Sequence, residues 1–79
     1  MTPAQLRMAR AAVRLGVREL AHLAGVSAPT LTRYETEHGG LRLDTARKLE
    51  AALNQLGIRF VTEGGQACIC YDPTKGTAP

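Results

Sequence analysis

The sequence predicts a mainly α fold, four short helices followed by a C-terminal β-strand or hairpin, and three observations predict it. Apolar residues recur at three- and four-residue spacing in four segments before residue 57. Gly16, Gly25, Gly39, Gly40 and Gly57 punctuate those segments. Beyond Gly57 the helical period gives way to short β-prone runs on either side of Gly64-Gly65. The expected organisation is a helical domain over 1–57, a hairpin over 58–71 and a flexible tail over 72–79.

The elements follow in order. Thr2, Pro3 and Gln5 form a capping box with proline at the first helical position, and Leu6, Ala9 and Val13 then repeat on one face. That predicts a first helix over about 3–15, broken by Gly16. Leu20, Ala21, Leu23 and Ala24 mark a second helix that Gly25 ends. Ser27 is placed to cap a third, with Pro29 in its first turn, where a missing N–H costs nothing, and with Leu31 and Tyr34 on its inner face. Residues 36–41 read as a loop. Leu43, Ala46, Leu49, Leu53 and Leu56 mark a fourth helix stopped by Gly57. Ile58, Phe60 and Val61 then read as one strand, Gly64-Gly65 as a hairpin turn, and residues 67–71 as a second strand. A lone two-stranded hairpin is marginal in water, so these strands need a cover. The same hairpin from a second copy, related by a two-fold axis, supplies it most simply. Ile58, Phe60, Val61, Cys68, Ile69 and Cys70 are the expected dimerisation residues.

Composition narrows the function. A chain of 79 residues reads as one domain, burying only about 60% of the surface its unfolded form exposes, so its core is thin. Eight of the ten cationic side chains are Arg, the type best suited to phosphates and guanine edges. The formal charge of +3 lies wholly in the first half: residues 1–42 hold six Arg against Glu19, Glu35 and Glu37, whereas residues 43–79 balance. No apolar run approaches the ~20 residues of a membrane span, and the N-terminus lacks the basic-then-apolar layout of a secretory signal. A cytoplasmic location is expected. Two cysteines are too few for a disulfide framework.

The segment GVRELAHLAGVSAPTLTRYE, residues 16–35, is the most specific in the chain. Two helices meeting at a sharp angle need a small residue where their backbones approach, a glycine able to take positive φ in the turn, and an apolar residue to pin the second helix. Ala21, Gly25 and Leu31 fill those places, with Ser27 capping two residues past the glycine. On these residues the chain resembles, over about residues 3–57, the helix-turn-helix family typified by lambdoid phage repressors and Cro, the XRE family. Arg10 and Glu35 stand where the family pairs an Arg of helix 1 with a Glu closing the recognition helix. Tyr34 and the Leu43-Asp44-Thr45 opening of helix 4 are similar too. The resemblance implies double-stranded DNA as partner, a homodimer, and transcriptional regulation, most simply repression at a palindromic operator.

The residues support a reading mechanism. With Leu31 and Tyr34 turned inward, a helix of about 27–35 directs Ala28, Pro29, Thr32 and Arg33 outward, and these form the base-reading set. Arg33 is the main reader, able to donate two hydrogen bonds to guanine O6 and N7. Arg14, Arg18, Ser27, Thr30, His38 and Arg42 are the phosphate candidates, helped by helix N-termini that favour anions. One departure stands out: the family often caps helix 2 with Ser or Thr followed by Gln, and here Gly16 and Val17 occupy those positions. Arg10 with Glu35 reads as a structural pair fixing helix 1 to helix 3, or as a phosphate contact.

Two other readings keep the same fold: an antitoxin-type regulator that also binds a protein partner such as a toxin, and a protein-interaction module that has lost DNA binding, to which Val17, Ala28 and Pro29 point. Cys68 and Cys70 lie on one face of a strand, so a dimer could gather four thiols around a metal, but paired zinc cysteines are usually spaced more widely and no His is near in sequence. No metal, cofactor or small-molecule substrate is expected. Nor is an enzyme, since no nucleophile, base and orienting group form a recognisable set.

Overall fold

In the computed structural model, which describes residues 1–75, four helices are followed by a two-stranded antiparallel hairpin: α1 Pro3–Val13, α2 Val17–Ala24, α3 Ala28–Glu35, α4 Leu43–Gln55, β1 Ile58–Glu63 and β2 Gln66–Tyr71. No helix among these residues is long and apolar enough to cross a membrane.

Local chemistry explains most boundaries. Thr2 caps α1 by accepting from the Gln5 amide at 3.1 Å while Thr2 N donates to Gln5 Oε1 at 2.9 Å. The expected break at Gly16 falls earlier. Arg14 takes the left-handed conformation at φ 59°, with Leu15 N donating to Arg10 O and Arg14 N to Ala11 O. One left-handed residue suffices for such a stop, so Gly16 is left extended and opens α2 instead. Gly25 closes α2 in the same way at φ 72°, donating to His22 O while Val26 N reaches Ala21 O. A Cβ at Gly25 would meet nothing, so the turn needs glycine for its backbone angle rather than for space. At Gly57 space is limiting as well: an added Cβ would lie 2.1 Å from the Asp72 carbonyl oxygen, across a backbone hydrogen bond from Asp72 N to Gly57 O. The expected tail therefore begins with residues 72–75 turned back against the end of α4, where Asp72 Oδ1 accepts from Thr74 N and Oγ1 and its pKa is lowered by those bonds. Residues 76–79 lie outside the described residues.

Leu6, Leu20, Leu31, Leu49, Leu53 and Ile58 are fully buried and, with Ala9 and Ala21, form one core drawing on all four helices and β1. Leu43, expected on the inner face of α4, is 67% exposed. It is the first residue of the helix and lies beyond the core residues Leu49 and Leu53.

The hairpin lays one of its two faces on the helices. Gly64 and Gly65, at φ 57° and 76°, make the tight turn that matches strand twist, and the register pairs Ile58 with Tyr71, Phe60 with Ile69 and Val61 with Cys68. Side chains alternate between faces. Ile58, Phe60 and Ile69 lie on the face packed against the core of the same chain, Ile58 buried and the other two half-buried. Arg59, Val61, Glu63, Gln66, Cys68 and Cys70 form the outer face.

Candidate nucleic-acid interface

The Ser27 hydroxyl accepts from the Thr30 amide at 3.4 Å, and Pro29 sits where no helical N–H is needed, so α3 starts where local chemistry dictates. Leu31 anchors it in the core and Glu35 fixes its far end. The inner face thus uses positions 31 and 35, with Tyr34 and, against expectation, Ala28 packed in part against the core because Ala28 opens the helix beside it, and the intervening turn carries Thr32 and Arg33 to the outside. Both are exposed, as is Pro29, whereas Ala28 and Thr30 are half-buried.

Between α2 and α3 runs an open groove lined by Val17, Arg18, Ala28, Pro29, Thr32 and Arg33. All four residues expected to read bases are therefore brought together with one phosphate candidate, Arg18. Arg14, Ser27, His38 and Arg42 are exposed but do not line that groove. Arg42 lies 3.7 Å from Asp44 in a solvent-exposed ion pair, and His38 Nδ1 is 3.0 Å from Thr36 Oγ1. Among the described residues Arg14, Arg18 and Arg33 make no ion pair. The loop after α3 folds back on its end, with His38 N donating to Arg33 O at 2.8 Å, which brings Gly39 alongside the Arg33 guanidinium.

The expected Arg10–Glu35 pair is present and holds the groove from behind. Arg10 Nε and Nη2 donate to the two Glu35 carboxylate oxygens at 2.5 and 2.9 Å, and Arg10 Nη1 donates to Leu15 O at 3.0 Å. Glu35 is 5% exposed. The hydrogen bond that Arg10 donates to Glu35 raises the Arg10 pKa, against the lowering effect of burial. Two further ties escaped the sequence reading. Arg7 Nη1 donates to the Glu35 backbone carbonyl, and the Tyr34 hydroxyl donates to Met1 O at 3.0 Å; burial pushes the Tyr34 pKa up. A basic residue one turn before Arg10 was the available signal for Arg7. For Tyr34 the partner is the chain's own first residue, which no local pattern indicates.

Cys68 is half-buried and Cys70 exposed, both free thiols. Among the described residues no group of three or more His, Cys, Asp or Glu side chains gathers as a metal would require.

Arg18 at the start of α2, with its charge unpaired beside the groove, suits a phosphate. Arg18→Ala should weaken binding to every DNA sequence alike and reduce the slope of log affinity against log salt by about one. Titrations at several salt concentrations on two unrelated duplexes check this, and a sequence-dependent loss would reassign Arg18 to base reading.

A family model described as helix-turn-helix matches residues 6–60. No curated protein matches the chain.

Proposed function

The chain belongs to the Cro/cI-type (XRE) helix-turn-helix family of DNA-binding regulators, and from that premise we propose that it represses transcription as a homodimer on a palindromic operator, with α3 in the major groove. One observation carries the reading: the outward side of α3 is uncovered, and it shares a groove with an unpaired Arg18. Exposed arginines beside that groove suit a polyanionic partner. Two recognition helices bound to successive half-sites lie about 34 Å apart, one turn of duplex, and the protomer measures 34 Å in its longest direction, a scale that suits side-by-side binding. A DNA partner implies a cytoplasmic place of action.

The outer face of the hairpin is the surface we assign to the dimer contact, with Val61 and Cys68 at its centre and Arg59 and Glu63 toward opposite ends of β1. Because Ile58 belongs to the core, removing residues 58–79 would damage the fold as well as the interface. Val61→Asp and Cys68→Asp are the cleaner tests. Each should give a monomer by sedimentation with an unchanged helical circular-dichroism spectrum, and operator affinity should fall about 100-fold or more as two-headed binding is lost. An intact dimer in both variants would move the contact elsewhere.

A second reading draws on one further observation. Leu23 is 55% exposed and borders a groove between α2 and α4 with Ala24, Lys48, Ala51, Ala52 and Gln55, an apolar surface that favours an antitoxin-type role with a protein partner. Selection of bound sequences from random duplex DNA tests the main reading. Recovery of a palindrome with half-sites about one turn apart is the expected result, and no retention of any DNA at low salt would leave only the protein-interaction role.

A further inference from the structure

Gln5 does more than cap its helix. It is 3% exposed, in a position flanked by the core residues Leu6 and Ala9. Its Oε1 accepts from Thr2 N, and its Nε2 donates to two carbonyls of the hairpin, Cys68 O at 2.8 Å and Val61 O at 3.3 Å. Those carbonyls belong to a directly paired couple, one on each strand. A single amide thus holds both strands at mid-length, on the face opposite the Val61 and Cys68 side chains. Five residues further along α1, Arg10 grips Glu35 at the end of α3. The same rigid helix therefore holds the reading helix at one point and the hairpin at another. The hairpin follows α4 through Leu56 and Gly57, so without Gln5 its tilt would rest on that junction and on the apolar contacts of Ile58, Phe60 and Ile69.

We infer that Gln5 is a positioning residue that fixes the tilt of the hairpin against the DNA-reading head and thereby sets which half-site spacing the dimer accepts. The inference rests on the proposed dimer through the hairpin. Tilt matters through leverage: about 10° over an arm of ~20 Å, the molecule's shortest dimension, moves the far end by about 3.5 Å, close to the rise of one base pair in a duplex with ~10 base pairs per ~34 Å turn. Two symmetry-related arms double the shift. A donor aimed at two strand carbonyls resists such a tilt more sharply than apolar contacts do, because hydrogen bonds weaken steeply once angle and distance depart from their optimum.

The experiment measures affinity of the full chain for operators whose half-sites are separated by spacers stepped one base pair at a time, together with sedimentation. Gln5→Leu keeps the volume and removes the amide. It should remain a dimer and bind an isolated half-site within about 2-fold of the native chain, while preference for the best spacer over its neighbours falls from roughly 10-fold to below about 3-fold, or the optimum shifts. Gln5→Glu, which keeps the acceptor for Thr2 N but turns a carboxylate oxygen toward two carbonyls, should do at least as much and carries the test if the Leu variant does not fold. Thr2→Ala removes the other half of the capping box and should leave the spacer profile native. An unchanged profile in a dimeric Gln5 variant overturns the inference. So does an equal change in Thr2→Ala, which would assign the effect to the helix cap, or a monomeric Gln5→Leu chain, which would make Gln5 a support of the interface itself. A native chain that is monomeric on its operator would instead defeat the dimer reading, so the two failures are distinct.

Discussion

Arg10→Met should destabilise the fold by about 3 kcal/mol or more, the usual cost of breaking a buried ion pair from one side. The replacement leaves the Glu35 carboxylate, 5% exposed, without a counter-charge and without the two hydrogen bonds Arg10 supplied. Arg7 does not substitute, since its contact with Glu35 is to the backbone carbonyl. Glu35→Gln should cost less, about 1.5–3 kcal/mol, the worth of a hydrogen bond to a charged group. The Arg10 side chain is 24% exposed, and its guanidinium can turn toward water while still reaching Leu15 O. Replacing both, Arg10→Met with Glu35→Leu, should recover most of the loss, because two apolar groups in a nearly dry site remove the desolvation cost of both charges. Urea unfolding followed by circular dichroism, with the slope unchanged, gives the three values and the coupling between the residues. For a domain of this size each ~1 kcal/mol shifts Tm by roughly 4–8 °C, so the single replacement should be plain in a thermal scan. A cost below about 1 kcal/mol for Arg10→Met would mean the pair behaves like a surface contact, and α3 would then be held chiefly by Leu31.

Arg33→Ala should remove about 1–3 kcal/mol of discrimination between operator and random DNA, the worth of a good bidentate contact to guanine and thus roughly 5- to 150-fold in the affinity ratio. Weak binding that falls steeply with salt should survive, because the proposed phosphate contacts lie on other residues. Arg33→Lys is the informative companion. It keeps the charge but loses the planar fork, so it should lose much of the discrimination while leaving the salt slope near native. The fold should be unaffected by either, since Arg33 is exposed and makes no ion pair among the described residues. Equal losses on operator and random duplex for both variants would mean that Arg33 meets phosphate, and base reading would pass to Thr32 and its neighbours. The two experiments separate the roles along one helix: Glu35 holds α3 in place through Arg10, and base reading is the role proposed for Arg33, two residues earlier.

Much of this was legible in the residues. The starts of α1 and α3 follow from Thr2 and Ser27, the end of α2 from Gly25, and the hairpin turn from Gly64-Gly65, because caps and tight turns are satisfied by groups within about four positions. The exposure of Thr32 and Arg33 was equally legible, since placing Leu31 inside leaves them no other side, whereas Ala28 of the expected outward set packs in part against the core. The first helix end was misplaced because both Arg14 and Gly16 stood near the break, and only the assembled turn selected Arg14 for the left-handed position.

Determined by the sequence alone, then, were the four helices, the turn between α2 and α3, the hairpin, and the face that offers Arg18 and Arg33. Tertiary structure alone decided which side of the hairpin is spent on the core, that Ile58 belongs there, and that Gln5 joins α1 to strands 56 and 63 residues away. The physical reason is range. Backbone angles and caps are set by neighbours along the chain, whereas a buried amide finds its acceptors only after distant segments have packed, and no local pattern encodes which carbonyls those will be.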